Sequence, residues 1–262
     1  LLAIRNEKRV EIRKAVVDAI SKTTHRNEEI LTAITDLLRD SDSSVRVAAI
    51  KAIGEMEIVS DPIVNALTNA LNSTEESVLL TALSSLGTLG AKAEITAAQL
   101  SKVLQDRRST VRSAALKCMT EIESDREKLI AFLINALDDS DWTVRGVAAS
   151  QLGEIGSDAK SAVPSLFKML ASADDTDAAR GALRAIDDAG PEAVPILIEG
   201  LKSTDRRRQF YAIFLLGKVG AEAKTALPVL KKLREDSDSA RARDAFTRAI
   251  KQIEAESETK AN

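Results

Sequence analysis

The sequence is nearly devoid of the residues that most often build disulfide frameworks and catalytic or metal centres. It has one cysteine, Cys118, and one histidine, His25, in 262 residues. A single cysteine excludes an internal disulfide and a cysteine-based metal site. His25 lies in the polar segment "KTTHRNEE" without a partner imidazole or thiol, so we expect a solvated surface side chain rather than a catalytic base or metal ligand. Cys118 is expected to be a small buried hydrophobic residue.

Aromatic residues, glycine and proline are also scarce. The chain has one Trp, one Tyr and five Phe, with 11 Gly and 5 Pro. Its 44% hydrophobic content is therefore mostly Ala, Leu, Ile and Val, in a background of good helix formers. This composition favours an all-α chain, and no apolar run approaches the roughly 20 residues of a membrane span.

Basic charge is not in excess, and the familiar catalytic motifs are missing. A net charge of -3 and a pI near 5.5 argue against a dedicated nucleic-acid binder, although they leave room for a local basic groove. The chain has no phosphate-binding GxxxxGK[ST] loop, no HExxH and no GxSxG, which would mark common nucleotide, zinc and hydrolase sites. We therefore expect no enzymatic activity and no cofactor in this chain.

What the sequence does contain is one helical pattern repeated along its length. Each copy has a mostly apolar residue at position zero, often followed by Arg, then small residues near plus four and a large apolar residue at plus eight. The zero positions are Ile12, Val45, Val78, Val111, Val144, Ala178, Arg208 and Ala242. Their spacings are 33, 33, 33, 33, 34, 30 and 34 residues, a regularity that indicates a repeat architecture.

A second apolar segment precedes each of these helices, so each unit is predicted to be a helix pair. Examples are "NEEILTAITDLL", "DPIVNALTNAL" and "AVPSLFKML", which have helical spacing. The turns within pairs, such as "RDSDSS" and "DDSDWT", supply Asp, Ser and Thr to cap the second helix. Pro164, Pro195 and Pro228 are expected to kink the first helices that contain them.

The repeats resemble the HEAT-repeat family, in particular its short bacterial form with "VRxxAAxxLGxIG" in the second helix and "AVPxL" in the first. Bilin lyases carry repeats of this short type. The resemblance covers nearly the whole chain and implies an armadillo-like, right-handed α-solenoid of about eight two-helix repeats. It also implies that the second helices line the concave face. The interpretation is one solenoid over residues 1–253, its first repeat truncated, with a polar tail at 254–262; further repeats or a domain are expected before Leu1.

The resemblance also implies a ladder in which a turn Asp and the Arg after position zero connect neighbouring repeats. The matching pairs are Asp40 with Arg46, Asp106 with Arg112, Asp139 with Arg145 and, as a variant, Glu7 with Arg13. Three repeats depart from this pattern and are expected to have looser joints. They carry Ser73 and Leu79 in repeat three, Ala179 in repeat six and Gln209 in repeat seven.

Positions two and six of each second helix point away from the core at 100 degrees per residue. In chain order these residues are Lys14, Asp18, Val47, Lys51, Leu80, Ser84, Ser113, Lys117, Gly146, Ser150, Arg180, Arg184, Phe210, Phe214, Asp244 and Arg248. Six are basic and two acidic, opposite to the balance of the whole chain. The candidate partner-binding residues are Arg180, Arg184, Phe210, Phe214 and Arg248. Trp142, in a turn, either covers the end of its repeat or anchors a partner.

The predicted function is a non-catalytic protein-binding or scaffolding module that binds a partner, acidic in character, on its concave face. Two alternatives stay open from the sequence. One is a nucleic-acid-binding solenoid that uses the same groove, and the other is an auxiliary or lyase-like protein acting on a small ligand.

Overall fold

A computed structural model describes residues 7–22, 28–56, 60–90, 97–172, 182–184, 186 and 190–259. Within these ranges all regular structure is helical, so the predicted all-α class is confirmed. The chain divides into two compact units, Leu1–Leu129 and Ile130–Asn262. None of the helices in the described ranges combines the length and apolar character required to cross a bilayer.

The helices alternate between first and second members of the predicted pairs. Up to the division they are α1 Val10–Ser21, α2 Glu28–Leu37, α3 Ser43–Met56, α4 Asp61–Ala70, α5 Glu76–Leu89, α6 Ala97–Val103, α7 Ser109–Ile122 and α8 Arg126–Ala136, within which the division falls. The later ones are α9 Trp142–Ile155, α10 Val163–Ser172, α11 Val194–Leu201, α12 Arg206–Val219, α13 Leu227–Glu235 and α14 Ala240–Thr259. Residues 182–184 and 186 are helical and belong to the second helix of repeat six. Because α14 continues to Thr259, residues 254–259 of the predicted tail are helical.

Second helices pack on second helices within each unit. In the first unit α1 contacts α3, α3 contacts α5, and α5 contacts α7, while the first helices α2 and α4 contact each other. In the second unit α12 contacts α14, and α11 contacts both α10 and α13. In the part of each unit covered by these contacts, first and second helices thus form two layers, as in a solenoid of stacked pairs.

The repeated apolar positions form the core. The plus-eight residues are all buried: Ile20, Ile53, Leu86, Met119, Leu152, Ile186, Leu216 and Ile250. Because one face of each second helix is apolar at helical spacing, that face is buried against its neighbours and the opposite face remains outside. The predicted two-helix repeats and their inward face are confirmed.

The prediction that prolines kink the first helices was wrong. Pro164, Pro195 and Pro228 occupy the second position of α10, α11 and α13, where the missing N–H has no partner within the helix anyway. A short 3₁₀ segment precedes each of these helices. It begins at a glycine with positive φ, for example 70° at Gly156 and 63° at Gly220, a conformation that favours glycine.

The predicted arginine ladder exists, but its atoms are paired differently from the prediction. The Arg13 guanidinium donates from Nε and Nη2 to the carboxylate of Asp40 in the next repeat, at 2.7 and 2.8 Å. Its Nη1 donates to the backbone carbonyl of Glu7 in its own turn, at 2.9 Å. The carboxylate therefore connects neighbouring repeats, whereas the bond within a repeat ends on a backbone oxygen.

The same bond from Nη1 to a turn carbonyl recurs along the chain. It joins Arg46 to Asp40 O at 2.7 Å, Arg112 to Asp106 O at 2.7 Å, Arg145 to Asp139 O at 2.9 Å and Arg243 to Ser237 O at 2.7 Å. The expected carboxylate pairs within these repeats are thus corrected to carbonyl contacts. Each one anchors the turn to the start of its second helix.

Repeat three, which lacks the arginine, has a substitute bond to its neighbour, whereas the bond in repeat seven stays within the repeat. In repeat three Leu79 is buried, and the next turn carboxylate, Asp106, is bound instead by Arg108 at 2.9 and 2.8 Å. Arg108 also donates to Thr74 O in the preceding turn at 3.2 Å. In repeat seven Gln209 Nε2 donates to a carbonyl of its own repeat, Leu201 O, at 2.9 Å. Ala179 lies outside the described residues.

These contacts alter the acidity of both turn carboxylates. Burial raises the pKa of Asp40, but hydrogen bonds from Arg13 and from the Asp42 backbone outweigh it, so the net pKa lies below its ordinary value. Hydrogen bonds from the Arg108 side chain lower the pKa of Asp106 to about 2, against an opposing effect of burial. The ionised form of each carboxylate is therefore favoured by folding.

Acid should weaken the fold through these carboxylates. Because the folded pKa of Asp106 is about 2 and its unfolded pKa is roughly 3.9, its contribution is fully present above about pH 4 and declines toward pH 2. Thermal unfolding of the protein and of Asp106→Asn, followed from pH 5 to pH 2, should show the Tm difference between them narrowing as the pH falls. A Tm difference that stays constant across this range would contradict the assignment.

Two helical glycines should respond in opposite ways to alanine. A Cβ at Gly87 would meet nothing closer than 3.8 Å, so Gly87→Ala should stabilise the protein by about 0.5–1 kcal/mol through helix propensity. A Cβ at Gly200 would lie 2.5 Å from Cε1 of Phe167, a buried ring, so Gly200→Ala should destabilise by about 1–3 kcal/mol. Urea denaturation of both variants measures the change in the free energy of unfolding. If both substitutions stabilised the protein, or both destabilised it, the packing described for one of the two glycines would be contradicted.

Candidate partner-binding surface

The outward face of the second helices, at positions two and six, forms what we call the second-helix surface. Its position-six residues are all exposed: Asp18, Lys51, Ser84, Lys117, Ser150, Arg184, Phe214 and Arg248. The position-two residues of the first five repeats are half-buried: Lys14, Val47, Leu80, Ser113 and Gly146. In repeats seven and eight the position-two residues, Phe210 and Asp244, are exposed instead. The last two repeats therefore present more side chain to solvent than the earlier ones.

Two phenylalanines dominate this surface on α12. Phe210 and Phe214 are 51% and 45% exposed, and their spacing of four residues places them on one side of the helix. The Phe210 ring meets Tyr211 edge-on, with centroids 5.7 Å apart, and Lys218 Nζ lies 6.0 Å from the Phe214 centroid. The core face of α12 is filled by other residues, including Ile213 and Leu216, so these two rings are left outside.

Two arginines occupy position six in the repeats before and after the phenylalanines. Arg184 and Arg248 are exposed at the same repeat position as Phe214, and α14, which carries Arg248, packs directly on α12. Arg180 lies outside the described residues. The structure thus places Phe210, Phe214 and Arg248 on two adjacent packed helices, while Arg184 lies at the matching position of the preceding repeat.

Close packing of α12 against α14 has a specific cause that sequence analysis missed. A Cβ at Gly217 would lie 3.3 Å from the Cα of Ala249, so a side chain at this position would push the helices apart. The signal was visible as a glycine within a helical pattern, which often marks such a contact. The small residue allows α14, which carries Arg248, to pack closely on α12.

The start of α12 adds a basic group that was not among the predicted site residues. Arg206 and Arg207 are exposed, and Arg208 occupies position zero, where most repeats have an apolar residue. The Nε of Arg208 is buried and has no hydrogen-bond partner within the described part of the chain. Asp205 accepts from the Arg207 and Arg208 amides at 2.8 and 3.1 Å, and these bonds lower its pKa.

The lysines near the other end of the chain are paired locally. Lys14 Nζ lies 3.8 Å from Glu11, and Lys51 Nζ lies 3.7 Å from Glu55. Such exposed pairs on one helix are weak, but they reduce the net basic charge of the early repeats. Of the four cations at position six, Arg184 and Arg248 belong to the same unit as the exposed rings of Phe210 and Phe214.

The remaining residues singled out in the sequence have different outcomes. Cys118 is 3% exposed, as predicted, and burial raises its pKa to about 12, which keeps the thiol protonated at neutral pH. Trp142 begins α9 and is 56% exposed, which fits its second interpretation better than a covering role. His25 lies outside the described residues.

Comparisons with known proteins agree with this architecture. The family model described as HEAT repeats matches residues 1–86, 32–117, 97–187 and 163–251. A search of curated proteins finds no match. HEAT repeats as a class mediate protein interactions.

Solved structures share the fold at low sequence identity. An engineered protein is 21% identical with a TM-score of 0.52, over 96% of this chain and 77% of that one. A Kap121p mutant is 13% identical with a TM-score of 0.70, over 94% of this chain and 32% of that one. The complex of CpcE and CpcF of phycocyanin lyase from Nostoc sp. PCC7120 contains a chain 22% identical with a TM-score of 0.50, over 88% of this chain and 96% of that one.

The similarities to solved structures support the fold, and the match to the family model supports the assignment to a family. Its four overlapping matches together run from residue 1 to residue 251, which is nearly the whole sequence. They agree with the paired helices, the buried plus-eight residues and the layer of contacting second helices. The chain belongs to the HEAT-repeat family.

Proposed function

We propose that this chain is a non-catalytic protein-binding module whose second-helix surface binds an acidic and apolar segment of a partner. The observation that carries the proposal is the exposure of Phe210 and Phe214 on α12. Together with Trp142 they are the large hydrophobic side chains found exposed in the described part of the chain.

Exposed phenylalanines on one helix face supply binding energy when a partner covers them. Burying a phenyl side chain contributes about 1.5–3 kcal/mol. Aromatic residues and arginine together account for much of the energy in protein interfaces. Phe210 and Phe214 are therefore suited to be apolar anchors, and the arginines nearby are suited to fix orientation.

The flanking charges favour a partner segment with carboxylates. Arg184 and Arg248 lie at the outward position of their helices. Guanidinium groups bind carboxylates through paired hydrogen bonds. The paired lysines of repeats one and two lack neighbouring rings, so the proposed site is confined to the second unit.

The binding prediction uses a random peptide library displayed on phage as the probe. Selection against the protein, with counter-selection against the Phe210→Ser/Phe214→Ser variant, should enrich peptides that combine acidic and apolar residues. Arg184→Ala and Phe214→Ala should each weaken the best peptide about thirtyfold, or about 2 kcal/mol. Lys51→Ala, the matched control, should change its Kd by less than about twofold. Isothermal titration calorimetry gives the Kd of the best peptide for the unmodified protein and for the three alanine variants.

Two results would contradict this proposal. One is a set of selected peptides whose affinity is unaffected by Phe214→Ala. The other is tight binding of single-stranded oligonucleotides with affinity that falls steeply with salt, since phosphate contacts release counterions; that result would support the nucleic-acid alternative instead.

A stability comparison separates a binding role for Phe214 from a structural one. Phe214 is 45% exposed whereas Phe246 is 2% exposed. Phe214→Ala should change the free energy of unfolding by less than about 0.5 kcal/mol, and Phe246→Ala should reduce it by about 3–5 kcal/mol because a cavity forms. Urea denaturation of both variants provides the test. A loss near 3 kcal/mol for Phe214→Ala would make it a core residue and remove the anchor.

A further inference from the structure

A cavity of about 230 Å³ lies between repeats two and three, at the turn edge of the first unit. Its polar wall consists of Arg39, Arg46, Asn69, Asn72 and Ser73. The wall offers guanidinium, amide and hydroxyl donors, and none of its lining residues is acidic. This site is separate in sequence and in chemistry from the second-helix surface.

The preceding joint shows what such an arginine binds. Arg13 uses Nη1 for the Glu7 carbonyl of its own turn at 2.9 Å. This bond leaves Nε and Nη2 directed at the carboxylate of Asp40 in the next turn, at 2.7 and 2.8 Å. The result is a bidentate arginine–carboxylate pair, the strongest common geometry for these groups.

Arg46 is held in the same way but meets a different residue. Its Nη1 donates to Asp40 O at 2.7 Å and to Ser41 O at 3.0 Å. The residue that corresponds to Asp40 in the next turn is Ser73, 33 positions later, and it lines the cavity. Among the described residues no acidic side chain forms an ion pair with Arg46, so its Nε and Nη2 retain their capacity to donate to a carboxylate.

We propose that this cavity binds a carboxylate, held by Nε and Nη2 of Arg46 in the manner in which Arg13 holds Asp40. Arg39 adds a second positive charge, and the Asn69 and Asn72 amides add donors on the cavity wall. The volume is several times the roughly 30 Å³ share of one water in the liquid, so the carbon chain that carries the carboxylate also fits. The carboxylate comes either from a free acid or from an acidic side chain of a protein.

Binding experiments distinguish these two sources. The probes are succinate, the peptide acetyl-Gly-Asp-Gly-amide and its Asn counterpart, each titrated while the arginine Nε–H signals are followed by NMR. Succinate and the Asp peptide should bind in the millimolar range and the Asn peptide should not, with binding of succinate alone identifying a free acid as the source. Arg46→Lys should weaken binding at least tenfold, because lysine lacks the planar fork.

A second experiment introduces the carboxylate into the protein itself. Ser73 Oγ accepts from the Glu75 amide at 3.2 Å, just as Asp40 Oδ1 accepts from the Asp42 amide at 2.9 Å, so aspartate suits this turn. Ser73→Asp should raise Tm by about 2–4 °C, because the new carboxylate pairs with Arg46. It should also weaken the binding of succinate at least tenfold, because it occupies the same site. Thr74→Asp, with the same charge one residue away and outside the cavity, should do neither.

The proposal is overturned if Ser73→Asp and Thr74→Asp have the same Tm, or if the gain persists when Arg46 is replaced by leucine. Binding of the Asn peptide as tightly as the Asp peptide, when both bind, would also overturn it, and so would equal affinity for sulfate and succinate. The proposal is also overturned if neither succinate nor the Asp peptide binds at concentrations up to about 50 mM, which is about 50-fold above a Kd of 1 mM.

Discussion

Every helix in this chain depends on its neighbours to remove its apolar face from water. All but one of the described helices have 14 residues or fewer, and isolated helices shorter than about 12–15 residues are marginal in water. Burial of the plus-eight residues between contacting second helices supplies what a single repeat lacks. Stability is therefore a property of adjacent pairs of repeats, and the position of each helix is set by the next one.

This constraint also determines which residues are available for function. Positions zero, four and eight are committed to contacts between helices, and the turns are committed to capping and to the arginine contacts. The outward positions two and six are left, so the chemistry of a partner site can vary there without loss of the fold. Phe210 and Phe214 occupy two such positions, and their exposure is compatible with an intact core in α12.

The sequence predicted the features that depend on periodicity, and it failed where a choice between nearby partners decides the outcome. The period near 33 residues and the buried plus-eight positions follow from helical spacing, as does the exposure at position six. Spacing does not show whether an arginine binds the carboxylate or the carbonyl of the same aspartate. It also does not show that Arg108 binds Asp106 where Leu79 has replaced the usual arginine. The pattern predicts the three prolines inside first helices because it does not show where those helices begin. In the structure a 3₁₀ segment that starts at a positive-φ glycine comes first, and each α-helix begins only one residue before its proline.

The contact between Arg108 and Asp106 has a consequence for how such a chain can change over evolutionary time. A unit whose turn carboxylate is neutralised by its own arginine requires from the preceding unit only a backbone oxygen, here that of Thr74. Every residue type provides that oxygen. Duplication or exchange of the preceding unit would leave this carboxylate paired, so this ion pair, unlike that of Arg13 with Asp40, requires no particular side chain in the neighbouring unit.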